Sequence, residues 1–295
     1  MRILLTGGTG QVGWELARTL MPLGEVIAVD RSQADLSDLN TLKGIVEQHQ
    51  PHVIVNPAAY TAVDKAESES ELAFLVNAEA PRVLAEEANK IGALLVHYST
   101  DYVFDGSKNT PYTENDATHP INVYGQSKLA GEQAIQSAGG DYLILRTSWV
   151  YASRGSNFLR TIMRLAAERE ELKIVADQIG TPTWARLIAE VTVHVVRQSV
   201  FEQQSGIFNS NAYHLTASGE TSWHGFAQKI VDIVREQGKA ELKNQVIHPI
   251  PTTDYPLPAK RPANSRLSNE RLEQQFGLVM PSWDNALRLC MQELS

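Results

Sequence analysis

The chain has 295 residues, room for about two domains at roughly 150 residues each. Its hydrophobic fraction of 43% matches an ordered globular protein and excludes a disordered chain. Lysine and arginine number 26 against 34 acidic residues, and the resulting charge of −8 excludes the basic surface that general nucleic-acid binding needs.

Strand and helix patterns alternate along the first half. Apolar runs predict strands over 2–6, 25–30, 52–56, 93–98 and 141–147. Helical spacing predicts helices over 11–21, 40–49, 71–91 and 122–136 between them. Strands that are nearly continuous apolar runs are covered on both faces, as in a parallel sheet built from βαβ units. The expected fold is therefore α/β, a Rossmann-type doubly wound parallel sheet with a smaller C-terminal substrate-binding domain. Further helices are predicted over 187–200 and 221–237. Residues 248–262 hold five prolines and read as a loop.

The single cysteine, Cys290, cannot close a disulfide within the chain, so the expected compartment is the reducing cytoplasm. No cysteine cluster offers a structural zinc site. No run approaches the roughly 20 apolar residues of a membrane span. The first strand pattern starts straight after Met1, with no leader pattern.

Chemistry concentrates at the strand ends. Between the first strand and first helix lies TGGTGQVG, with Gly7, Gly10 and Gly13 at three-residue spacing. In that context Gly7 makes the turn, Gly10 lets a pyrophosphate approach, and Gly13 lets the helix pack closely. The free N–H groups of the helix start then face the phosphates. A glycine triplet outside such a context would read as a plain tight turn. Asp30 ends the second strand, 20 positions after Gly10, where a carboxylate takes adenosine ribose hydroxyls. Arg31 beside it suits a 2′-phosphate, so NADPH and NADH both stay open. Asp35 and Leu36 are candidates for the adenine edge.

The fourth strand ends at Ser99 and Thr100, and Tyr124 and Lys128 follow, four apart on one helix face. A nearby ammonium favours a phenolate, which predicts a lowered Tyr124 pKa. Such a tyrosine can protonate a ketone oxygen as hydride arrives from nicotinamide. Alone, the same spacing would describe a surface pair.

This combination resembles the extended branch of the short-chain dehydrogenase/reductase superfamily, and within it the dTDP-4-dehydrorhamnose reductase family. The segments carrying the resemblance are ILLTGGTGQVG, VIVNPAAYTAVDKAE from Val53, VHYSTDYVFDG from Val96, NVYGQSKLAGE from Asn122, LRTSWVY from Leu145 and DQIGTPT from Asp177. The resemblance implies reduction of the C4 ketone of a dTDP-4-dehydro sugar by NADPH or NADH, the last step of dTDP-L-rhamnose synthesis for cell-surface polysaccharide. It implies Tyr124 as proton donor, Lys128 on the nicotinamide ribose, and Thr100 on the substrate oxygen. It implies cofactor contacts from Gly10, Gln11, Val12, Asp30, Asp35 and Leu36, with Ala59, Tyr60, Thr61 and Tyr98. Asp101 and Trp149 would contact the sugar nucleotide, and Arg261 its diphosphate. Residues 1–150, with about 173–200 folding back, would hold the cofactor, and 151–172 with 201–295 the sugar nucleotide.

Members of one type are dimers with Mg2+ bound by interface glutamates. Glu15 and Glu190 match, with Glu293 as a third carboxylate. Pro57 stands where the family more often has alanine, which implies a shifted loop beneath the nicotinamide. Sugar 4,6-dehydratases carry Asp-Glu after the strand-end threonine. Here Asp101 and Tyr102 follow Thr100, which argues against dehydration. The intact Thr100, Tyr124 and Lys128 set also argues against a non-catalytic nucleotide-binding subunit like the methionine adenosyltransferase β subunit. A reductase of another nucleotide-linked keto-sugar remains an alternative.

Overall fold

The computed structural model describes residues 1–238 and 242–294. Five strands of the first half lie in one parallel sheet: β1 (Arg2–Leu5), β2 (Glu25–Ala28), β3 (Val53–Asn56), β4 (Leu94–Thr100) and β5 (Tyr142–Thr147). The sixth, β6 (Asn211–His214), comes from the far half of the chain and pairs with β5. The order is β6-β5-β4-β3-β1-β2. The order reverses between β1 and β3, and ligands of open α/β sheets bind in the crevice outside the strand ends there.

The alternation of side chains explains the layering. Ile3, Leu5, Val53 and Val55 enter one core. Leu4, Ile54, Leu95 and Ile144 enter the other. The first face carries α1 (Gln11–Thr19) and α6 (Ala185–Gln204). The second carries α2 (Leu39–His49) and α3 (Ala80–Ile91). The helix of the catalytic pair is α4 (Val123–Ala138), started by the Asn122 side chain, which accepts from Gly125 N at 2.7 Å.

The first core continues into the second half. It takes Leu159 and Ile162 from α5 (Phe158–Glu168), Phe226 and Ile230 from α7 (Trp223–Gln237), and Leu287 from a terminal helix (Trp283–Gln292). Neither α5 nor the terminal helix is among the predicted elements. The proline-rich stretch also starts differently: residues 248–250 belong to a strand (Val246–Ile250) paired in parallel with Glu171–Val175. A two-stranded sheet is all edge, where Pro249 removes no central ladder bond.

The long helix predicted over 71–91 is broken. Ser70–Phe74 is α-helical, Leu75–Glu79 is a π turn, and α3 follows. Pro81 has no N–H to give the Asn77 carbonyl, so the α ladder cannot run through. The Asn77 side chain instead pins the next wall of the site. It accepts from Tyr60 N at 2.8 Å and donates to Tyr60 O and to Ser127 Oγ, both at 3.0 Å. No helix among the described residues is long and apolar enough to cross a membrane.

Candidate active site

A cavity of about 790 Å³ runs along the carboxyl ends of β1 to β5. One end is the glycine turn. Gly7 sits at φ 59, and a Cβ on Gly13 would fall 2.1 Å from the Gly7 carbonyl oxygen, so only glycine lets α1 start this close. Gln11 and Val12 line the same end. The helix start has no side-chain cap and no acidic residue in its first turn. Its N–H groups and dipole are therefore left for an external anion.

Asp35, Leu36 and Arg31 line the far edge of the cavity. Asp30 lies just beyond that lining. Its Oδ1 accepts from Ser32 N at 2.8 Å and Ser32 Oγ at 2.6 Å, which holds the carboxyl below its usual range. Arg31 is exposed and pairs with Asp35 at 3.1 Å. Ala59, Tyr60 and Thr61, after β3, form the opposite wall with Pro57. The Tyr60 hydroxyl donates to Glu69 at 2.6 Å, which pushes its pKa up to about 12.

The other end of the cavity holds Tyr124, Lys128, Tyr98 and Ser99. A Cβ on Gly125 would fall 2.2 Å from the Tyr102 carbonyl oxygen. That glycine lets the first turn of α4 press on the turn after β4, which brings Tyr124 beside Thr100 and edge-on to Tyr102 at 5.5 Å. Lys128 is buried and donates to the Tyr98 carbonyl at 2.6 Å, with His97 Nε2 at 3.1 Å. The Tyr98 hydroxyl turns away to share a 2.6 Å hydrogen bond with Thr192 of α6.

The predicted lowering of Tyr124 is corrected. Burial dominates and pushes its pKa up to about 12, with a Thr100 hydrogen bond acting the other way. The ammonium instead faces Tyr98 O and His97. Lys128 is itself pushed down to about 8 by burial, against the favourable charge of Glu132.

The remaining expected substrate residues surround this end without lining the cavity. Thr100 Oγ1 donates to Asp101 Oδ1 at 3.0 Å, and Asp101 is buried and pushed up to about 6. Trp149 adopts φ 47, a region bulky residues rarely enter, and stacks on Trp223 at 3.6 Å. Arg261 forms a two-pronged pair with Asp64, both contacts at 2.7 Å. The cation expected for a diphosphate is thus already matched within the chain.

Two buried hydroxyl oxygens here have no hydrogen-bond partner: Ser99 Oγ and Thr147 Oγ1. Ser99 and Thr147 line the cavity. Orphaned hydroxyls at one end of the cavity and an anion-ready helix start at the other fit a polar, phosphate-bearing ligand. Of the residues lining the cavity, the sequence marks Ser99 only as part of a strand end and does not mark Thr147, or Gly155 and Ser156 of the following loop. Their signal was position: Ser99 precedes Thr100 at a strand end, and Thr147 closes β5.

The glutamates expected to hold Mg2+ gather around Arg186, whose pKa Glu15, Glu293 and Glu190 all raise. Arg186 donates to Glu15 at 3.1 Å and also pairs with Glu293. Glu190 is exposed on α6. Among the described residues no group of three or more His, Cys, Asp or Glu side chains could hold a metal ion. A guanidinium occupies the place expected for the cation, so these residues do not fit the metal.

The parallel sheet, the glycine turn at its switch point and the Tyr124–Lys128 pair beside Thr100 define a short-chain dehydrogenase/reductase. The chain belongs to the family described as RmlD substrate binding domain, whose profile matches residues 1–295. It is 56% identical to a dTDP-4-dehydrorhamnose reductase of Burkholderia thailandensis, covering 100% of this chain and 99% of that protein. Among solved structures it resembles a dTDP-4-dehydrorhamnose reductase from Clostridium acetobutylicum, with a TM-score of 0.89, 36% identity, and 100% and 99% of the two chains covered. It also resembles the Bacillus anthracis enzyme solved in complex with NADP, with a TM-score of 0.87, 35% identity and 99% of each chain covered.

Proposed function

We propose that this protein is an NAD(P)H-dependent reductase that converts dTDP-4-dehydro-β-L-rhamnose to dTDP-L-rhamnose. The observation that carries the reading is one cavity joining the glycine turn to Tyr124 and Lys128, in a chain similar over its full length to dTDP-4-dehydrorhamnose reductases. The reading places the chemistry in the cytoplasm, as the last step before rhamnose enters surface polysaccharide such as O antigen. Residues 1–150, with about 173–200, serve the cofactor, and 151–172 with 201–295 serve the sugar nucleotide. A homodimer belongs to the same reading, and light scattering with and without a chelator would test both the dimer and any metal dependence.

The nicotinamide cofactor, when bound, supplies the hydride for C4. The chain's own residues do the rest. The N–H groups at the start of α1 hold the pyrophosphate, with Gln11 and Val12 alongside. Asp30, Asp35 and Leu36 hold the adenosine end, and Ala59, Tyr60 and Thr61 the opposite wall. As an ammonium, Lys128 gives two of its three N–H bonds to Tyr98 O and His97, which leaves one for a ribose hydroxyl. Tyr124 keeps its proton throughout the neutral range and delivers it to the C4 oxygen. Thr100 orients that oxygen, an ordering contribution made before the reaction. Asp101 and Trp149 border the sugar nucleotide, and Arg261 faces its diphosphate from the Asp64 side.

The test is NADPH or NADH oxidation with dTDP-, UDP- and GDP-linked 4-keto sugars. Loss of nicotinamide absorbance with the dTDP sugar is the expected result. Turnover confined to another nucleotide would move the substrate, and none with any would sink the reductase reading. Gly13→Ala checks the cofactor end. Its Cβ must push the Gly7 carbonyl away from 2.1 Å, so NADPH affinity measured by titration calorimetry drops at least about tenfold. Wild-type affinity would remove the glycine turn from the cofactor site.

A further inference from the structure

Behind Lys128 the polar groups continue away from the cavity in a single buried line. Thr6 Oγ1 donates to Asn56 Oδ1 at 2.6 Å, Asn56 Nδ2 lies 3.1 Å from His97 Nδ1, and His97 Nε2 lies 3.1 Å from Lys128 Nζ. The line crosses β1, β3 and β4 and ends on α4. Thr6, Asn56, His97 and Lys128 are each at most 2% exposed. Thr6, Asn56 and His97 lie outside the cavity lining, so each of their protons must be matched by an acceptor within the line.

Counting protons separates an arrangement that only an uncharged Lys128 allows from the one arrangement that its ammonium allows. In the first, Asn56 Nδ2 donates to His97 Nδ1. The neutral imidazole then carries its proton on Nε2 and donates to Lys128, which must be an uncharged amine to accept. In the second, Lys128 is an ammonium and donates to Nε2. The imidazole proton then lies on Nδ1 and needs the Asn56 oxygen, so the amide turns over and gives its N–H to Thr6 Oγ1. An ammonium facing an Nε2–H, or an Nδ1–H facing an Asn56 N–H, would set donor against donor in a dry interior.

We propose that His97 is a positioning residue for Lys128, its tautomer locked to the charge of the lysine and recorded by the orientation of the Asn56 amide. His97 thereby gives the ammonium a second protein acceptor beside Tyr98 O. The imidazole stays neutral in both arrangements. Burial and the adjacent Lys128 hold its pKa well below the usual histidine value. The other charged or titratable groups around the line are few. Glu132, one turn along α4, favours the ammonium and is tied to Arg146 of β5. Tyr124 lies one turn back, and β4 adds Tyr98, turned to Thr192. Asp101 follows β4 and raises Tyr124. From the run before α3, Glu67 accepts from Val123 N at the start of α4 and Asn77 reaches Ser127.

The role of Lys128 in reduction rests on the proposed function, so the first test needs no turnover. In the whole protein with 15N-labelled histidine, the His97 ring is assigned by its loss in His97→Gln and followed from pH 6 to 10. The expected result is a ring that never becomes imidazolium and moves its proton from Nδ1 to Nε2 with a midpoint near the Lys128 value of about 8. In Lys128→Met the tautomer should not change with pH. A single tautomer across the range in the unsubstituted protein, or an imidazolium, would overturn the proposal.

The second test reads the alkaline limb of kcat. His97→Leu removes the acceptor and should move that limb about one pH unit lower, while His97→Gln, which offers an oxygen near the place of Nε2, should restore most of it. An unmoved limb in His97→Leu would also overturn the proposal. If the leucine variant does not fold, the labelled-histidine titration decides alone. A protein with the tautomer switch and no reductase activity would sink the proposed function and leave this inference standing.

Discussion

Tyr124→Phe lowers kcat for the keto-sugar by about 10²- to 10⁴-fold, the usual worth of a positioned general acid. That corresponds to about 3–5 kcal/mol of activation free energy. NADPH affinity stays near that of the unsubstituted protein, because the glycine turn and the β2 edge lie at the other end of the cavity. The ring volume is kept, and the lost hydroxyl is the phenol beside Thr100, since the Tyr98 hydroxyl turns away to Thr192. The direction of the tyrosine's pKa matters for reduction. A phenol held near 12 is a proton donor at every working pH, so Tyr124 does not limit the rate on the alkaline side. Lys128 does. Its charge is present below about 8 and lost above, so the reduction rate should fall as pH rises through that value. Stopped-flow turnover across pH 6–10 checks both statements, and near-normal turnover in Tyr124→Phe would remove the proton-donor role.

The parts of this molecule legible in the sequence are those where one residue type has one physical use. Ile3, Leu4 and Leu5 form an uninterrupted apolar run because both faces of β1 are covered, and that run predicted the buried sheet. Gly13 is legible because nothing larger fits against the Gly7 carbonyl. The Tyr124–Lys128 spacing shows the pair, since four residues is one helical turn. What the pair does to itself was not legible: the direction of the Tyr124 pKa depends on burial, which spacing does not encode. The resemblance implied Glu15, Glu190 and Glu293 as metal ligands, and no spacing in the sequence shows the guanidinium that meets Glu15 and Glu293. Arg186, 171 residues from Glu15, meets them only after α6 packs on α1. The edge strand β6 is four residues, starting with an asparagine, and its place beside β5 follows from tertiary pairing. The Asn56–His97 line is signalled only by residue type: polar side chains inside or closing strands buried on both faces rarely stand alone.

Glu132→Ala should cause the largest loss of stability. Glu132 takes two hydrogen bonds from Arg146, at 2.9 and 2.6 Å, and the side chains are only 2% and 7% exposed. Burying both ions costs solvation that their attraction and geometry offset, so the pair itself adds little net stability. Removing one partner is different, because the guanidinium is then buried without a counter-ion. Arg146 Nη1 already lacks a partner, so nothing nearby stands ready to take over. The expected destabilisation is about 3–5 kcal/mol. At roughly 2.1 cal/mol/K per residue of unfolding entropy, that lowers the Tm by about 5–8 °C. The double variant Glu132→Leu with Arg146→Met removes both charges and should recover most of the loss, which a single substitution at either site cannot do. Calorimetry on the two single variants and the double one checks this, and strictly additive losses would show that the ions do not act as a pair. The same substitutions reach the active site through α4. Glu132 is the charge that favours the Lys128 ammonium, so the double variant, stable again, should still carry its alkaline limb at lower pH than the unsubstituted protein. Stability and the lysine's charge thus come apart at one residue, because the ion pair is satisfied by Arg146 while its field is felt one helical turn away.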